Sequence, residues 1–301
     1  MELHTHHPRT WKRLRRNPAA VCAGVVLIGV LFFAILGPLI FPYSPEATSA
    51  QKFSPPSTTN FFGTDLNGRD VFSRVIQGAR LSLTVGICGA LVSLLIGTTY
   101  GLISGYAGGR VDNTMMRIVE VLQSIPRLII IIVAIFTFAP SLEGWLHDRM
   151  PSMEGYTKVI ILILCLGLIE WLSMARIVRG QVLVLKELQF VTAARALGQS
   201  HFKILFKHLL PNLAGVVIVY LTLTIPAVIL DESFLSFLGL GINDPIASLG
   251  SLLSDGKNVI NPVKSYWWLL VFPAITMSIT LLAFNFLGDA LRDAFDPRTR
   301  K

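Results

Sequence analysis

Few side chains among these 301 residues have types and spacing that could do chemistry. Gly256-Lys257 looks like the end of a phosphate-cradling loop. The earlier glycine is missing, and Asn258 stands where a magnesium-binding Ser or Thr belongs, so nucleotide binding is not expected here. Cys22, Cys88 and Cys165 lie in apolar runs without a CxxC or Cys/His pairing, and they read as small buried hydrophobes. His4, His6 and His7 form only a weak metal-like tract in a Pro-containing terminus. No HExxH and no Ser/His/Asp grouping is present, so catalysis by this chain is not expected. What remains is charge within apolar segments, at Glu120, Arg127, Glu170, Asp231 and Glu232, where ionisable residues are functional candidates by default.

The segment Phe190 to Asn212 is the one long polar and basic stretch between strongly apolar runs. Ala193, Ala194, Ala196 and Leu197 favour a helix that Gly198 can end in a left-handed cap. Phe202, Leu205, Phe206 and Leu209 then repeat at the spacing of one apolar helical face, and Pro211 is expected to halt the run. Such a pair either touches a partner or rests on lipid headgroups, and spacing alone leaves both open.

Membrane spans must position these residues. Hydrophobic residues make up 52% and charged residues 15%, with a mean hydropathy of +0.62, far from the balance of a soluble domain. Crossing ~30 Å of hydrocarbon takes about 20 apolar residues. Six stretches qualify: Ala19–Phe41, Leu81–Tyr106, Asn113–Ala139, Val159–Ala175, Leu213–Leu230 and Trp267–Leu287. The chain is expected to be an all-α polytopic membrane protein with both termini on one side. If that side is cytoplasmic, the inner segments hold 17 of the 26 basic residues and the outer ones 8, which fits the positive-inside rule. The net charge of +8 is then a topology and headgroup signal that calls for no nucleic acid.

Counted at 1.5 Å per residue along these spans, Glu120 and Glu170 sit about 10 Å deep and Arg127 about 20 Å deep. The offset argues against a direct Arg127–Glu170 pair. Arg127 can face a translocation path and meet a substrate carboxylate, pair with an acid of a partner, or snorkel. Asp231 and Glu232 are expected near the outer mouth of the fifth span, with Pro126 and Pro226 as candidate kinks. A loop from Pro42 to Gln77, rich in Pro, Ser, Thr and Asn, separates the first span from the other five. In it Gly63, Asn67 and Gly68 suggest tight turns, and Asp65, Arg69, Asp70 and Arg74 are spaced to pair. This is a salt-bridged surface loop or a docking and gating element.

Several motifs in order carry a family resemblance. The loop pattern GTDxxGRDxxSRxxxGARxSLxVG is met from Gly63 to Gly86, and GGxxDxxxMR by Gly108, Gly109, Asp112, Met116 and Arg117. SFLGLG follows at Ser236 to Gly241, MARIVRGQ stands at Met174 to Gln181, and FNFLGDALRDAFDP runs from Phe284 to Pro297. The chain resembles the C-type permease subunit of bacterial oligopeptide/dipeptide ABC importers over nearly its whole length.

The resemblance implies a type I ABC importer transmembrane domain with six transmembrane helices and cytoplasmic N and C termini. It divides the chain into 1–76 (tail, first helix and outer loop), 77–290 (five spans and a coupling helix at about 190–212) and 291–301 (cytoplasmic tail). In the family's EAAxxxG loop, with Pro thirteen residues after the Gly, Ala193, Ala194, Gly198 and Pro211 match. Thr192 replaces the Glu and His208 the usual Ile. The implied partners are a second permease, two ATPase subunits carrying ATP and Mg, an extracytoplasmic peptide-binding protein, the peptide and membrane lipid. No cofactor is expected in this chain. The rival readings are another cargo in the same family (a nickel chelate, glutathione or a murein peptide) or an ATP-independent secondary transporter.

Overall fold

The computed structural model describes residues 13–41, 44–242, 244–260 and 264–295. The histidine tract and the basic residues at both extreme ends lie outside them. Within the described residues the chain is helical, with a single isolated β-bridge between Thr64 and Asp70. Six helices are long and apolar enough to cross a membrane: α1 (Pro18–Ile40), α2 (Val71–Ala107), α4 (Arg127–Arg149), α5 (Thr157–Leu185), α7 (His201–Phe237) and α9 (Trp268–Phe295). Among the described residues three shorter α-helices, α3 (Gly109–Ser124), α6 (Gln189–Ala196) and α8 (Leu249–Asn258), and a 3-10 helix at Pro151–Tyr156 lie between them.

The third span differs from the one read in the sequence. Instead of one helix from Asn113 to Ala139, the chain breaks at Ile125-Pro126. Pro126 forces its predecessor into extended backbone, and Ile125 has ψ 128°. The residues before the break form the amphipathic α3, which buries Asp112, Met116 and Val119 and packs on Trp171, Leu172 and Ala175 of α5. Arg127 is therefore the first residue of α4 rather than a mid-helix residue. Pro126 separates two helices, whereas Pro226 stays inside α7.

The centre of the bundle is the packing of α2 on α5. Gly89, Ser93, Gly97, Gly101 and Gly105 recur every four residues, so they lie on one helical face. Small residues at this spacing let two backbones touch, the favoured way to hold helices together where lipid is as apolar as Leu. A Cβ on Gly101 would stand 2.5 Å from the Ala175 carbonyl oxygen. The α1 helix is peripheral. It buries Ala20, Ala23, Leu27 and Ala34 and leaves Cys22 exposed, contrary to the reading of that cysteine as a core residue. Cys88 and Cys165 are half-buried and unpaired.

One end of the bundle is closed by the long loop. Asp65 Oδ1 accepts the backbone N–H groups of Asn67 and Arg69. Its Oδ2 accepts Arg69 Nε at 2.7 Å and Arg74 Nη1 at 2.6 Å. Both arginines also reach Asp244, and Arg74 reaches Asp255 at 3.4 Å. The loop acids and bases do pair as their spacing suggested, but in a buried network anchored some 170 residues away. Arg74 is 1% exposed. Asp70 stays out of it and caps α2 by accepting the Ser73 N–H. Gly63 and Gly68, both at φ 75°, make the turns. We call this the cap end.

Replacing Gly101 with Ala should cost about 1–3 kcal/mol by overpacking the seam. Gly180→Ala, where a Cβ meets nothing within 4 Å, should be neutral or slightly stabilising. Thermal unfolding of the two purified variants in mild detergent checks this contrast. At the cap, burial alone would push the Asp65 carboxyl up, but the Arg69 backbone and side chain and the Arg74 charge hold it below its ordinary range. A carboxyl with a depressed folded pKa stabilises above its unfolded value of about 3.9 and loses that stability as pH falls through the folded one. Asp65→Asn should cost about 3 kcal/mol near neutral pH, because Arg74 stays buried with less compensation. The deficit should shrink as the wild type is acidified below pH 4, and unfolding midpoints measured across that range test it.

Candidate functional site

Two places gather the residues singled out in the sequence. The first is the hairpin at the other end of the bundle, formed by α6 and the start of α7. Gly198 ends α6 at φ 70°, with its N–H on the Arg195 carbonyl and the Gln199 N–H on that of Ala194. The space beside it is open, so glycine is needed there for its backbone angle and not for room. Ser200 caps the next helix through the Lys203 N–H.

Pro211 does not halt that helix. From Ile204 to Leu209 the backbone widens into a π-turn, with the Leu210 N–H on the Leu205 carbonyl five residues back, and α7 continues to Phe237. Pro211 has no N–H to place, and a widened turn accommodates it. The Asn212 amide donates instead to the His208 carbonyl at 2.6 Å. The π-turn also explains why the expected apolar face splits. Ile204, Leu209 and Leu213 are buried at spacings of five and then four, whereas Phe202 and Phe206 are exposed. Helical spacing of 3.6 cannot reveal that register change.

The hairpin is clamped on the α2–α5 seam. Val191, Ala194, Ile204 and Leu209 share a core with Leu102, Val178 and Val182. Ala193 is exposed beside buried Ala194, and His208 is half-buried and bonded to Gln199 at 2.8 Å. Tyr106 Oη meets His201 Nδ1 at 2.8 Å with Arg195 over its ring, and Lys186 Nζ donates to the Gly105 carbonyl. Next to it Gly108 and Gly109 turn the chain at positive φ, and Asp112 accepts Ser104 and a bidentate Arg179, each at 2.6 Å. Chiefly the Arg179 hydrogen bonds hold the Asp112 carboxyl below its ordinary range against the opposing effect of burial. Leu197 at 80% and Phe202 at 70% exposure are left on the outside. They form a hydrophobic knob on a rigid support.

The second place lies within the bundle. Arg127 Nη1 is 3.1 Å from Asp231 Oδ2 and 3.6 Å from Glu170 Oε1. The depth count argued against this pairing, and it failed because it assumed an unbroken helix through Pro126. Asp231 and Glu232 are likewise not at a wet mouth. Asp231 is 5% exposed and Glu232 fully buried. Ser82 at 2.8 Å, Ser236 at 2.7 Å and Ser233 at 3.2 Å donate to the Glu232 carboxylate, and Ser82 in turn accepts the Leu249 N–H of α8. Glu120 is exposed on α3 and pairs with Arg117. Arg127 and Glu170 line a cavity of about 940 Å³ between α3–α4 and α5, whose walls include Phe138, Trp145, Leu164 and Leu168.

Removing Arg127 leaves Asp231 buried without its cation. Because the guanidinium is half-exposed, Arg127→Ala should cost about 2 kcal/mol, and Arg127→Ala/Asp231→Asn should recover part of it. Unfolding of the single and double variants is the measurement.

With this geometry in place, comparisons with known proteins are informative. Residues 97–301 match the family described as binding-protein-dependent transport system inner membrane component. Residues 9–56 match the N-terminal TM domain of oligopeptide transport permease C. The dipeptide transport system permease protein DppC of Bacillus subtilis is 44% identical over 97% of this chain and 85% of its own length. The oligopeptide transport system permease proteins OppC of Haemophilus influenzae and Escherichia coli K12 are 43% and 42% identical, over 96% of this chain and 88% and 90% of theirs. A chain of the inward-facing MetNI methionine ABC transporter shares the fold, with a TM-score of 0.52 at 19% identity, over 75% of this chain and 98% of that one.

Proposed function

We propose how this chain works from a premise the comparisons establish: it belongs to the family of binding-protein-dependent transport system inner membrane components. It is a multi-pass membrane permease of the ABC importer type. Its relatives are named for dipeptides and oligopeptides, and peptide is the cargo we assign.

The observation that carries the mechanism is the hairpin. It displays Leu197, Phe202 and Phe206 outward while its inner face is locked to the α2–α5 seam. We read Ala193, Ala194, Gly198, His208 and Pro211 as the framework of a coupling helix that docks on a separate ATPase subunit. Ala194 packs against the seam, Gly198 sets the turn, His208 braces Gln199, and Pro211 keeps the π-turn. The hairpin end then faces the cytoplasm together with both termini, and the cap end faces an extracytoplasmic binding protein. A second permease completes the pathway, with the cavity at Arg127 opening to it. This subunit performs no hydrolysis; ATP and Mg belong to the two ATPase subunits. Their closure pushes the hairpin, and its core with Leu102, Val178 and Val182 together with the Tyr106–His201 bond moves α2 and α5 with it. Such transmission requires contacts that differ between the two ATPase states.

Phe202→Glu should strip the ATPase subunits from the complex during purification, since it puts a charge at the centre of an apolar contact. Gly198→Trp strains a left-handed backbone position and intrudes on the partner. It should lower peptide uptake at least tenfold while ATP hydrolysis persists. Wild-type uptake in Gly198→Trp, or recovery of the native chain without any ATPase, would overturn the coupling role.

A further inference from the structure

We propose that Glu170, held by Arg127 and Asp231, is a substrate subsite for the free amino terminus of the transported peptide. The inference rests on the peptide-import reading and specifies which end of the cargo the permease meets. One guanidinium faces two carboxylates in this cluster, so it carries one acid more than it has bases. Among the described residues the cavity lining includes no second cation; its other polar side chains are the neutral Gln123, Ser124, Ser141 and Ser173.

The two acids are not equivalent. Asp231 is the nearer to Arg127 and lies behind it, buried, with its Oδ2 held by charge proximity but without a hydrogen bond. Glu170 sits farther from the guanidinium and lines the cavity itself. Arg127 is thus committed to its own chain's acids, and Glu170 is the group with spare capacity to accept. A carboxylate in an apolar-walled cavity is costly without a counter-charge, and a primary ammonium supplies one together with three N–H donors. The apolar walls can take side chains of varied shape, which leaves the charged end as the part read specifically.

The test uses the full complex of this permease with its second permease, ATPases and binding protein in proteoliposomes. ATP-driven uptake of trialanine and N-acetyl-trialanine is measured for wild type and Glu170→Gln with the same binding protein. The ratio of free to acetylated uptake should fall about tenfold in Glu170→Gln and return toward wild type in Glu170→Asp. A misassembled variant lowers both rates and leaves the ratio, so the second measurement uses the wild-type complex. A tripeptide with a diazirine in its first residue should crosslink near Arg127 and Glu170, and one with the diazirine in its last residue should not. An unchanged ratio in an assembled Glu170→Gln complex, or crosslinks from the carboxyl end at that site, overturns the assignment. A shift in the ratio that sodium or protons alone reproduce, without peptide crosslinks, makes the cluster an inorganic-cation site and overturns it as well. Absence of any ATP-driven trialanine uptake by the wild type overturns the peptide-import reading instead.

Discussion

Direct contact between the backbones of α2 and α5 is the constraint from which the rest follows. Along the stripe Gly97, Gly101 and Gly105 lie against the Trp171, Ala175 and Arg179 carbonyls of α5 and the stems of Met174, Val178 and Val182, and Gly167 on α5 answers with its own close approach to Val92 and the Gly89 carbonyl. Lipid gives apolar helices no hydrophobic reason to associate, so close packing must supply the adhesion. A seam of this kind is stiff, because neither backbone can slide past the other without collision. Each functional feature is fastened to it. The hairpin is clamped at one end through its shared core with Leu102, Val178 and Val182 and through Tyr106–His201, Glu170 sits on α5 part-way along, and Arg74 in the first turn of α2 joins the buried network of the cap.

Charge is placed by the same logic. Apart from Asp70, which caps α2, the buried ionic groups of the described bundle belong to sets: two arginines among three aspartates at the cap, Arg179 on Asp112, Glu232 among serine hydroxyls, and Asp231 beside Arg127 and Glu170. Asp231 and Glu232 are neighbours in sequence yet serve different sets, one facing Arg127 beside the cavity and the other facing the serines that hold α8. A short stretch of α7 thus ties the cavity to the cap, while the seam ties the cavity to the hairpin. This arrangement gives movement at either end a mechanical route to the middle.

Much of this was legible in the sequence. Hydropathy located four of the six spans to within a few residues at one end or both, and placed the fifth inside the longer α7. The composition around Gly198 gave the helix–turn–helix, and the Asp/Arg spacing gave the cap pairing. The failures have physical causes. Ile118, Val119, Val121 and Leu122 let the apolar part of α3 merge with α4, so hydropathy reads Pro126 as a kink within one span rather than a break between two helices, and misplaces the depth of Arg127. The π-turn shifts the buried face by one residue, which no fixed helical period anticipates. Asp244 and Asp255 carry no local signal at all, since only folding brings them to Arg69 and Arg74. The small residues from Gly89 to Gly105 gain their meaning only in the fold, since it depends on which helix lies against them.

Coupling in this fold requires that hairpin, seam and cavity wall move as one body when the ATPase acts. Distances between spin labels answer it most directly, measured in the assembled transporter with and without ATP. One label goes on the hairpin at exposed Lys207, one on the cavity wall at Leu168, and one on the facing surface of the second permease. If hairpin, seam and wall move together, the Lys207–Leu168 distance stays fixed while the distance from Leu168 to the second permease changes by several ångströms, on the order of the shifts seen when packed helices move at interfaces. A hairpin that moves while Leu168 keeps its distance from the second permease would contradict it.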